Sequence, residues 1–529
     1  MDTMEDYTEE EWFICAGKGA NQLMTFLGID IGTTHCKAGL FASDGTALAV
    51  ATRPTPYEES GGGYADIDPE GLWQAVLLAL KEILPGDVGR SVAAIGIASM
   101  AETGLLLDIH SGKPRTPLIP WFDTRAKEQV GASMGQITPL ERFQRTGLHP
   151  SFKYSLPKIL WLREQEREIT RDALWLSASD YIAYRLTGKC GTDYTLAART
   201  YGFRIDTKMW DREILKGLDL EPSLFPTAYP SGHAVGTVVR GDKLGLNLGQ
   251  AVPVAVSGHD HSCAALAVGA TEPGIVYDSM GTAENLMGTL PESPLGEAEF
   301  RSGLTFGCHV LPGHMFWMGG QSNSGGSVEW LRGVLCEEPL SYEQLEELLA
   351  AVDPEPSGIV YLPYLSGSGS PWPDVNTQGA FIGLQKRHGQ GDLLKAVLEG
   401  TAFEMEAIRR SAEAVTGSPI SRVTAVGGGT RNPYWLQIKA DVSHCEYVIP
   451  PISESTLLGA ALVAGLGCGV LDRDGIADIV TRQEQAGTKV TPDAKRHQAY
   501  QYWYEQAYLR LQGPLREYYN YLSKERSDS

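Results

Sequence analysis

The chain carries two copies of one short pattern, in which an apolar run ends at an aspartate and is followed by Gly-Thr and a second apolar run. The first copy is FLGIDIGTTHCKAGL, residues 26–40, and the second is GIVYDSMGTAENLMG, residues 274–288. Each copy is typical of a β-strand, a tight turn and a returning strand. One copy alone is equally compatible with an ordinary hairpin closed by an Asx-type turn. Two copies far apart in the chain predict two related domains that face one nucleotide.

The turn of the first copy is predicted to bind a phosphate group. Gly32 allows the backbone to approach a ligand closely, and Thr33 and Thr34 offer hydroxyl and amide donors. Lys37 adds a positive charge further along the returning strand. With a phosphate bound at this turn, we expect Asp30, near the end of the first strand, to face a metal ion.

The second copy predicts matching contacts from the other domain. Gly281 and Thr282 occupy the places of the first turn's glycine and threonine, and Asp278 occupies the place of the first aspartate. The second loop is one residue longer than the first. We expect Gly281 and Thr282 to contact the same nucleotide as the first turn.

A third nucleotide-binding element is predicted at VTAVGGGT, residues 423–430. An apolar strand ends there in three consecutive glycines, and a helix begins near Asn432 and Pro433. Glycines at a strand-to-helix turn let the backbone lie against a flat or anionic group. Gly428, Gly429 and Asn432 are therefore expected to lie close to the nucleotide.

The order of the motifs in this chain resembles that of the FGGY carbohydrate kinases, which belong to the actin, hexokinase and heat-shock-chaperone ATPase superfamily. The resemblance runs from Phe26 to Val470 and rests on DIGTT, SGHDH, GTA, LPYLSG, GAFIGL, AVLEGTAFEM, VGGGTRNPYWLQIKADV and ESTLLGAAL. It implies an α/β fold with two ribonuclease-H-like (actin-like ATPase) domains and an interdomain active-site cleft. It also implies ATP-dependent phosphorylation of a hydroxyl of a small sugar or polyol, with Mg²⁺ as cofactor and a ketopentose such as xylulose as the favoured acceptor.

The length of the chain agrees with this domain organisation, because 529 residues are too many for one ordinary core. We predict an N-terminal extension at residues 1–25 and a sugar-binding domain with the first phosphate hairpin at residues 26–270. A nucleotide-binding domain is predicted at residues 271–529. In the family, the glycine-rich helix start around Gly326 contributes to nucleotide binding, although glycines also suit close packing between a helix and a strand.

The catalytic residue is predicted within SGHDH, residues 257–261, which follows an apolar strand. Phosphoryl transfer to a hydroxyl requires a positioned base near the attacking oxygen, and Asp260 at the strand tip fits that role. By resemblance, Asp260 falls on the family's catalytic aspartate. It is thus expected to contact the substrate as well. His261 is either a ligand of a sugar hydroxyl or a structural histidine.

Three further side chains are candidates for substrate binding. Glu102 follows a predicted buried strand, and its carboxylate suits vicinal hydroxyls, although a solvated loop position is the simpler alternative. In the segment PWFDTR, Trp121 is expected to stack on a carbon chain and Asp123 to accept a hydroxyl. Either of these two residues is equally compatible with a place in the core or at a helix cap.

This sequence departs from its relatives around the acceptor. Glu102 matches the glutamate that binds substrate in glycerol kinases, but Ala101 stands where those enzymes have an arginine. Family members that act on xylulose tend to have histidine at the Glu102 position. The loop at residues 366–371 lacks the arginine that is frequent in the family. The acceptor therefore stays open among ketopentoses, deoxyketoses and polyols.

Composition restricts the partners and the location. With 44 Lys and Arg residues and 65 Asp and Glu residues, the formal charge is −21, which argues against nucleic acid or an anionic membrane as the main partner. The eight cysteines are scattered without a C-x-x-C pair, as in reduced cytoplasmic proteins. Residues 1–25 have neither the basic start nor the apolar core of a secretion signal. We therefore expect a cytoplasmic enzyme.

The C-terminal segment and one alternative function complete the sequence-based predictions. Tyr500, Tyr504 and Tyr508 are spaced for one helical face, which predicts packing against the domain or a homodimer contact. The pair at 513–514, Gly-Pro, is predicted to break that helix. The alternative function is that of a sugar-sensing or non-transferring ATPase of the same superfamily. A chaperone-like ATPase has no use for a hydroxyl-binding pocket, so the site residues favour a kinase.

Overall fold

Two mixed β-sheets form the framework of the computed structural model, which describes residues 24–239, 241–336 and 338–527. The predicted N-terminal extension, residues 1–25, lies outside the described residues up to position 23. No helix in the described ranges is long and apolar enough to cross a membrane.

The first sheet has six strands from the N-terminal half of the chain. In chain order they are β1 (Thr25–Ile31), β2 (His35–Ala42), β3 (Ala47–Pro54), β4 (Val92–Ser99), β5 (Ala234–Thr237) and β6 (Pro253–His259). Across the sheet the order is β5-β6-β4-β1-β2-β3. Strand β1 is antiparallel to β2 and parallel to β4, and β4 is parallel to β6. The first predicted hairpin is therefore β1–β2, at the centre of this sheet.

The second sheet has seven strands. They are β7 (Ile275–Met280), β8 (Glu284–Pro291), β9 (Thr305–Cys308), β10 (His314–Gln321), β11 (Arg422–Val426), β12 (Glu446–Ile449) and β13 (Thr488–Val490). Across the sheet the order is β9-β10-β8-β7-β11-β12-β13. Strand β7 is antiparallel to β8 and parallel to β11, so the second predicted hairpin, β7–β8, is again central.

The two sheets repeat one arrangement around their hairpins. In each, the strand that carries the aspartate lies between its antiparallel partner and a parallel strand from later in the chain. The parallel register places Asp30 beside Ala98 and Asp278 beside Ala425. This repetition confirms the predicted two-domain α/β fold.

Helices pack on the sheets, and several of them directly follow a strand in the chain. The main ones are α1 (Pro69–Ile83), α2 (Asp260–Ala267), α3 (Gly325–Leu335), α4 (Gln390–Thr416), α5 (Pro433–Ser443), α6 (Ser455–Gly467), α7 (Arg473–Ala486), α8 (Ala494–Trp503) and α9 (Leu509–Ser527). Further helices are Val130–Ser133, Pro139–Thr146, Ser155–Gln165, Ala178–Thr187, Tyr194–Ala198, Arg212–Gly217, Gly241–Leu244, Glu297–Arg301 and Tyr342–Ala350. The remaining strands pair as Tyr57–Gly61 with Tyr64–Ile67, Gly104–Asp108 with Ala173–Ser177, Thr192–Asp193 with Ala228–Tyr229, Phe203–Arg204 with Met209–Trp210, and Val360–Leu362 with Ala380–Ile382.

Helix α6 packs on the first sheet, although the sequence places it within the predicted second domain at residues 271–529. A Cβ atom at Gly28 of β1 or Gly96 of β4 would lie 2.0 or 1.9 Å from a carbonyl oxygen of this helix. Gly459 of α6 in turn lies against the backbone of Cys263 in α2. The glycines on both sides let helix and sheet approach more closely than side chains would permit. The first core is therefore completed by a segment from near the end of the chain.

The C-terminal helices pack on α4. The rings of Tyr500, Tyr504 and Tyr508 are buried and contact Phe403, so the tyrosine stripe serves packing, and the homodimer prediction loses this basis. The predicted helix break at 513–514 is wrong, because α9 continues through Pro514. A wider helical turn precedes it at Tyr504–Tyr508.

Side-chain contacts on both sides of Pro514 explain why α9 continues. The Tyr364 hydroxyl donates to Gln512 Oε1 at 2.9 Å, and Arg516 Nη1 donates to the Trp372 carbonyl at 2.7 Å. These tertiary contacts hold the helix against the domain and outweigh the local cost of an interior proline.

Candidate active site

The turn of the first hairpin is tight and connects directly to Trp121. The Gly32 amide donates to the His35 carbonyl at 3.0 Å, and the Thr34 hydroxyl lies 3.0 Å from the His35 ring. The indole Nε1 of Trp121 donates to the Thr33 hydroxyl at 3.0 Å. The structure thus brings one predicted substrate residue into contact with the predicted phosphate turn.

Asp30 presents an unsatisfied carboxylate oxygen beside this turn. Its Oδ1 atom is buried and has no hydrogen-bond partner among the described residues. Burial, and then the negative charge of Asp260, raise the pKa of Asp30 to about 8, although Lys37 opposes the shift. Lys37 itself pairs with Glu454, just before α6, at 2.7 Å. A divalent cation fits here because it would supply the positive charge that Asp30 lacks, and Mg²⁺ prefers carboxylate oxygens and water.

Asp260 is the first residue of α2, directly after the end of β6. Its Oδ1 accepts the His261 amide at 2.7 Å and lies 3.2 Å from Nε2 of His259. About a quarter of the side chain, 25%, remains exposed. Burial raises the pKa of Asp260 to about 7, although the His261 amide opposes the shift. A carboxylate with a pKa near neutrality is suited to accept and release a proton at physiological pH.

The strand tip that carries Asp260 is held by a buried network. The His259 amide donates to the Thr195 hydroxyl at 2.8 Å, which donates to Asp193 at 2.7 Å. The His261 ring makes edge contacts with the rings of His259 and Tyr277, at centroid distances of 5.2 and 5.9 Å. Tyr277 belongs to β7, so the strand tip borders the second domain. The sequence analysis had no signal for the Thr195 contact.

Glu102 is paired with an arginine that the sequence analysis missed. Arg199 Nε donates to Glu102 Oε1 at 2.6 Å, and both side chains are nearly buried. Lys158 Nζ donates to the Glu102 carbonyl at 2.7 Å and so fixes the backbone there, where the φ angle is 61°. The only available signal was a cation within the apolar segment TLAAR, residues 195–199. Glu102 is therefore not a solvated loop residue.

Asp123 and Trp121 differ in their surroundings, so the structure favours a different role for each. Asp123 has no exposed side-chain surface, and its oxygens accept the Ala65 amide at 2.6 Å and Arg125 Nε at 2.8 Å. This geometry favours the core alternative for Asp123 over a substrate contact. The Trp121 ring lies beside Lys153, whose Nζ is 5.0 Å from the ring centroid. Lys153 is a second residue that the sequence analysis missed.

The second hairpin turn is closed by α3. The amides of Gly325 and Gly326 donate to the carbonyls of Gly281 and Thr282 at 3.1 and 3.0 Å. The Gly281 amide also donates within its own turn, to Ala283 at 3.1 Å. The Gly326 amide is therefore engaged with the hairpin, and its glycine serves close packing at the helix start.

Asp278 lies in strand β7 of the second hairpin, and neither of its carboxylate oxygens has a hydrogen-bond partner among the described residues. Its side chain is fully buried, and its Oδ2 is 3.8 Å from Nζ of Lys439 in α5. Lys439 also pairs with Glu284 of β8. Burial and the negative charge of Glu284 hold the pKa of Asp278 well above its ordinary range.

The glycine triplet forms the predicted strand-to-helix turn. Gly427 has a φ of 97°, which side chains rarely adopt, and a Cβ at Gly429 would crowd Met280 and Trp435. Nothing lies within 4 Å of a Cβ placed on Gly428, so its backbone is open to a ligand. Asn432 caps α5 by accepting the Trp435 amide at 3.0 Å, as the predicted helix start requires.

Fold and site together define a class: an ATP-dependent kinase built from two actin-like ATPase domains. The models of the FGGY family of carbohydrate kinases match the chain over residues 25–267 for the N-terminal domain and 276–468 for the C-terminal domain. The chain therefore belongs to the FGGY family of carbohydrate kinases, which are phosphotransferases that use ATP to phosphorylate sugars or polyols.

Individual relatives carry two different names. A glycerol kinase of Gloeobacter violaceus is 32% identical over 467 residues, covering 86% of this chain and 90% of that protein. A xylulose kinase of Lactococcus lactis is 29% identical over 494 residues, covering 91% and 96%. The crystal structure of a xylulose kinase from Rhodospirillum rubrum superimposes with a TM-score of 0.84 at 26% identity, covering 94% and 100%. The chain is thus similar to kinases of both names.

Proposed function

We propose that this kinase transfers the γ-phosphoryl group of MgATP to a hydroxyl of a small sugar or polyol, with Asp260 as the general base. A ketopentose such as xylulose is the acceptor that the family resemblance favours. The observation that supports the proposal is a pair of carboxylates, Asp30 and Asp260, that interact electrostatically at the ends of β1 and β6. Oδ1 of Asp30 is buried without a hydrogen-bond partner among the described residues, and burial raises the pKa of Asp260 to about 7.

The reaction uses these two carboxylates differently. The hydroxyl oxygen of the acceptor forms a bond to the γ-phosphorus, the bond from that phosphorus to the ADP oxygen breaks, and the hydroxyl proton passes to Asp260. Mg²⁺ held near Asp30 would neutralise charge on the phosphate groups. Trp121 offers an apolar face to the acceptor's carbon chain, and Glu102 offers oxygens to its hydroxyls.

The nucleotide is proposed to lie between the two domains. Its contacts would come from the first turn, the second turn and the glycine triplet: Gly32, Thr33, Thr34, Lys37, Gly281, Thr282, Gly428, Gly429 and Asn432. Gly326 would act indirectly, through its contact with Thr282. A cytoplasmic location remains part of the proposal, since the seven cysteines in the described ranges are all unpaired.

The test is ADP release by the purified enzyme with Mg²⁺ and ATP, against a panel of ketoses, aldoses and polyols. Because a general base contributes about 10² to 10⁴ in rate, Asp260→Asn should lower turnover by that order with the best acceptor. ATP binding by this variant should be nearly unchanged, which serves as the control for folding. Near-normal turnover of Asp260→Asn would contradict its role as the base.

The pH profile provides a second check on Asp260. The base must be ionised to accept a proton, so kcat/KM for the acceptor should rise with pH and level off above about 7, where the pKa of Asp260 lies. The wild-type enzyme assayed at several pH values with a fixed excess of MgATP gives this profile. The range from about pH 5 to about pH 8 brackets the pKa of Asp260. A kcat/KM that stays constant across this range would contradict the role of Asp260 as the base.

A further inference from the structure

Lys153 lies beside two of the proposed substrate residues, Trp121 and Glu102, and forms no ion pair with a described residue. Its Nζ lies over the ring of Trp121, 5.0 Å from the centroid. Within the part of the chain that the structure describes, no carboxylate is within ion-pair distance of this nitrogen. Burial lowers the pKa of Lys153, while the charge of Glu102 opposes that shift. An ammonium group that is partly removed from water and unpaired is costly, so a partner of opposite charge is expected.

The neighbouring charged groups are already engaged. Arg199 pairs with Glu102, so that carboxylate is neutralised within the protein. Lys158 donates to the backbone carbonyls of Glu102 and Pro120 at 2.7 and 2.9 Å. The Nη1 atom of Arg199 is buried and has no partner among the described residues, which leaves a second donor unsatisfied. Around Glu102 and Trp121 there are therefore more hydrogen-bond donors than acceptors, and the positive charge of Lys153 is not balanced by a nearby carboxylate of the described residues.

We propose that the acceptor is a sugar acid, a small polyhydroxy carboxylate whose carboxylate pairs with Lys153 while its carbon chain lies on Trp121. This inference rests on the proposed kinase function and narrows its acceptor from a neutral ketopentose to an acidic compound. A single carboxylate matches the single charge of Lys153, and Arg199 Nη1 offers a further donor to the same acceptor.

The carboxylate takes no part in bond making. A hydroxyl oxygen of the sugar acid forms the bond to the γ-phosphorus, the bond to the ADP oxygen breaks, and the proton passes to Asp260. The products are ADP and a phosphorylated sugar acid. Lys153 thus acts as a specificity residue and does not contact the reacting atoms.

The experiment compares acids with neutral acceptors of matched chain length: erythronate with erythritol, ribonate with ribitol, and xylonate with xylitol. Xylulose and glycerol 3-phosphate complete the panel. Because truncating one partner of a buried charge pair costs about 2 to 5 kcal/mol, the best acid should exceed its polyol in kcat/KM by roughly 30-fold or more. In Lys153→Met that ratio should fall by a similar factor, and Lys153→Arg should retain most of it.

Lys127 provides a matched control, because its Nζ lies 5.5 Å from the ring centroid of Phe152 but its side chain is exposed. Lys127→Met should leave the ratio of acid to polyol unchanged. A wild-type preference for xylulose or the polyols, with a ratio that Lys153→Met does not alter, would overturn the inference. A preference for glycerol 3-phosphate over every sugar acid would overturn the assignment of a carboxylate.

Direct binding separates this inference from the kinase function. Suppose that no panel member stimulates ADP release, yet the best-binding sugar acid binds the wild-type protein in calorimetry and not Lys153→Met. The inference then stands and the proposed function fails. If a neutral acceptor is phosphorylated best and Asp260→Asn abolishes its turnover, the proposed function stands and the inference fails.

Discussion

The two hairpins share a sequence pattern and a place in their sheets, but they differ in whether a lysine forms an ion pair with the aspartate. Among the described residues, Oδ1 of Asp30 and both carboxylate oxygens of Asp278 are buried without a hydrogen-bond partner, so the difference lies in the nearby lysines. Lys37 of the first hairpin is paired with Glu454 rather than with Asp30. Asp278 of the second hairpin is fully buried, with the ammonium of Lys439 beneath it. One copy is open to an external cation, and the other contains an internal one.

The difference shows that a repeated motif need not repeat its chemistry. A buried carboxylate needs a positive charge nearby, from the protein or from a ligand. Helix α5 delivers Lys439 to the second hairpin, whereas the first hairpin meets α6, which is apolar and glycine-rich and carries no lysine. The first site is therefore suited to bind a metal ion, and the second is suited to hold the sheet and the hairpin together.

The largest expected effect is on stability, from Lys439→Met. This change would leave Asp278 and Glu284 buried without a cation, and breaking a buried ion pair costs about 3 to 5 kcal/mol. Chemical denaturation gives the free energy of unfolding. The matched change Lys37→Met should cost about 1 kcal/mol or less, because its pair with Glu454 is partly exposed. Equal losses for the two lysines would remove the distinction between the hairpins.

The next effect is on catalysis, from Asp30→Asn. Loss of the metal-facing carboxylate should lower kcat by about 10²-fold or more, and the loss should depend on Mg²⁺ concentration. A titration of activity with Mg²⁺ measures this dependence. Asp278→Asn is the control, and it should change the unfolding transition rather than the Mg²⁺ midpoint. An unchanged Mg²⁺ titration in Asp30→Asn would contradict the metal role.

Close packing gives a third, smaller contrast between glycines. Gly28→Ala would force a methyl group onto the backbone of α6, where overpacking typically costs about 1 to 3 kcal/mol. Gly428→Ala has free space at its Cβ and should leave stability nearly unchanged while weakening ATP binding. Thermal denaturation and nucleotide titration of both variants measure the contrast. A stable Gly28→Ala variant would show that α6 does not need this contact.

The smallest effect is a pH dependence of stability that metal ions remove. The pKa of Asp30 rises from 3.8 to about 8 on folding, so the folded state binds more protons between these values and stability falls as pH rises through them. Mg²⁺ should therefore raise the melting temperature more at pH 8 than at pH 5, by a few degrees. Asp30→Asn should abolish the difference. An equal shift at both pH values would argue against Asp30 as the ligand.

Local chemistry made several features predictable from the sequence. The two hairpins, the helix start at Asn432, and the strand that leads to Asp260 follow from apolar periodicity, glycines and caps. The pairing of Arg199 with Glu102 was not predictable, because the two residues come from distant segments that meet only in the folded chain. The sequence left Asp123 open between a substrate contact and a place in the core or at a helix cap, because the Ala65 amide that it accepts comes from a distant segment.

By itself, the sequence determined the class of fold, the family and the residues from which the phosphate and metal contacts are proposed. These depend on short segments whose glycines, threonines and aspartates have few alternative uses. Only the tertiary structure decided which charges are satisfied within the protein, because ion pairs and burial depend on packing between distant segments. It placed Lys439 beside Asp278, left Asp30 and Lys153 without an ion pair to any described residue, and brought α6 back to the first sheet.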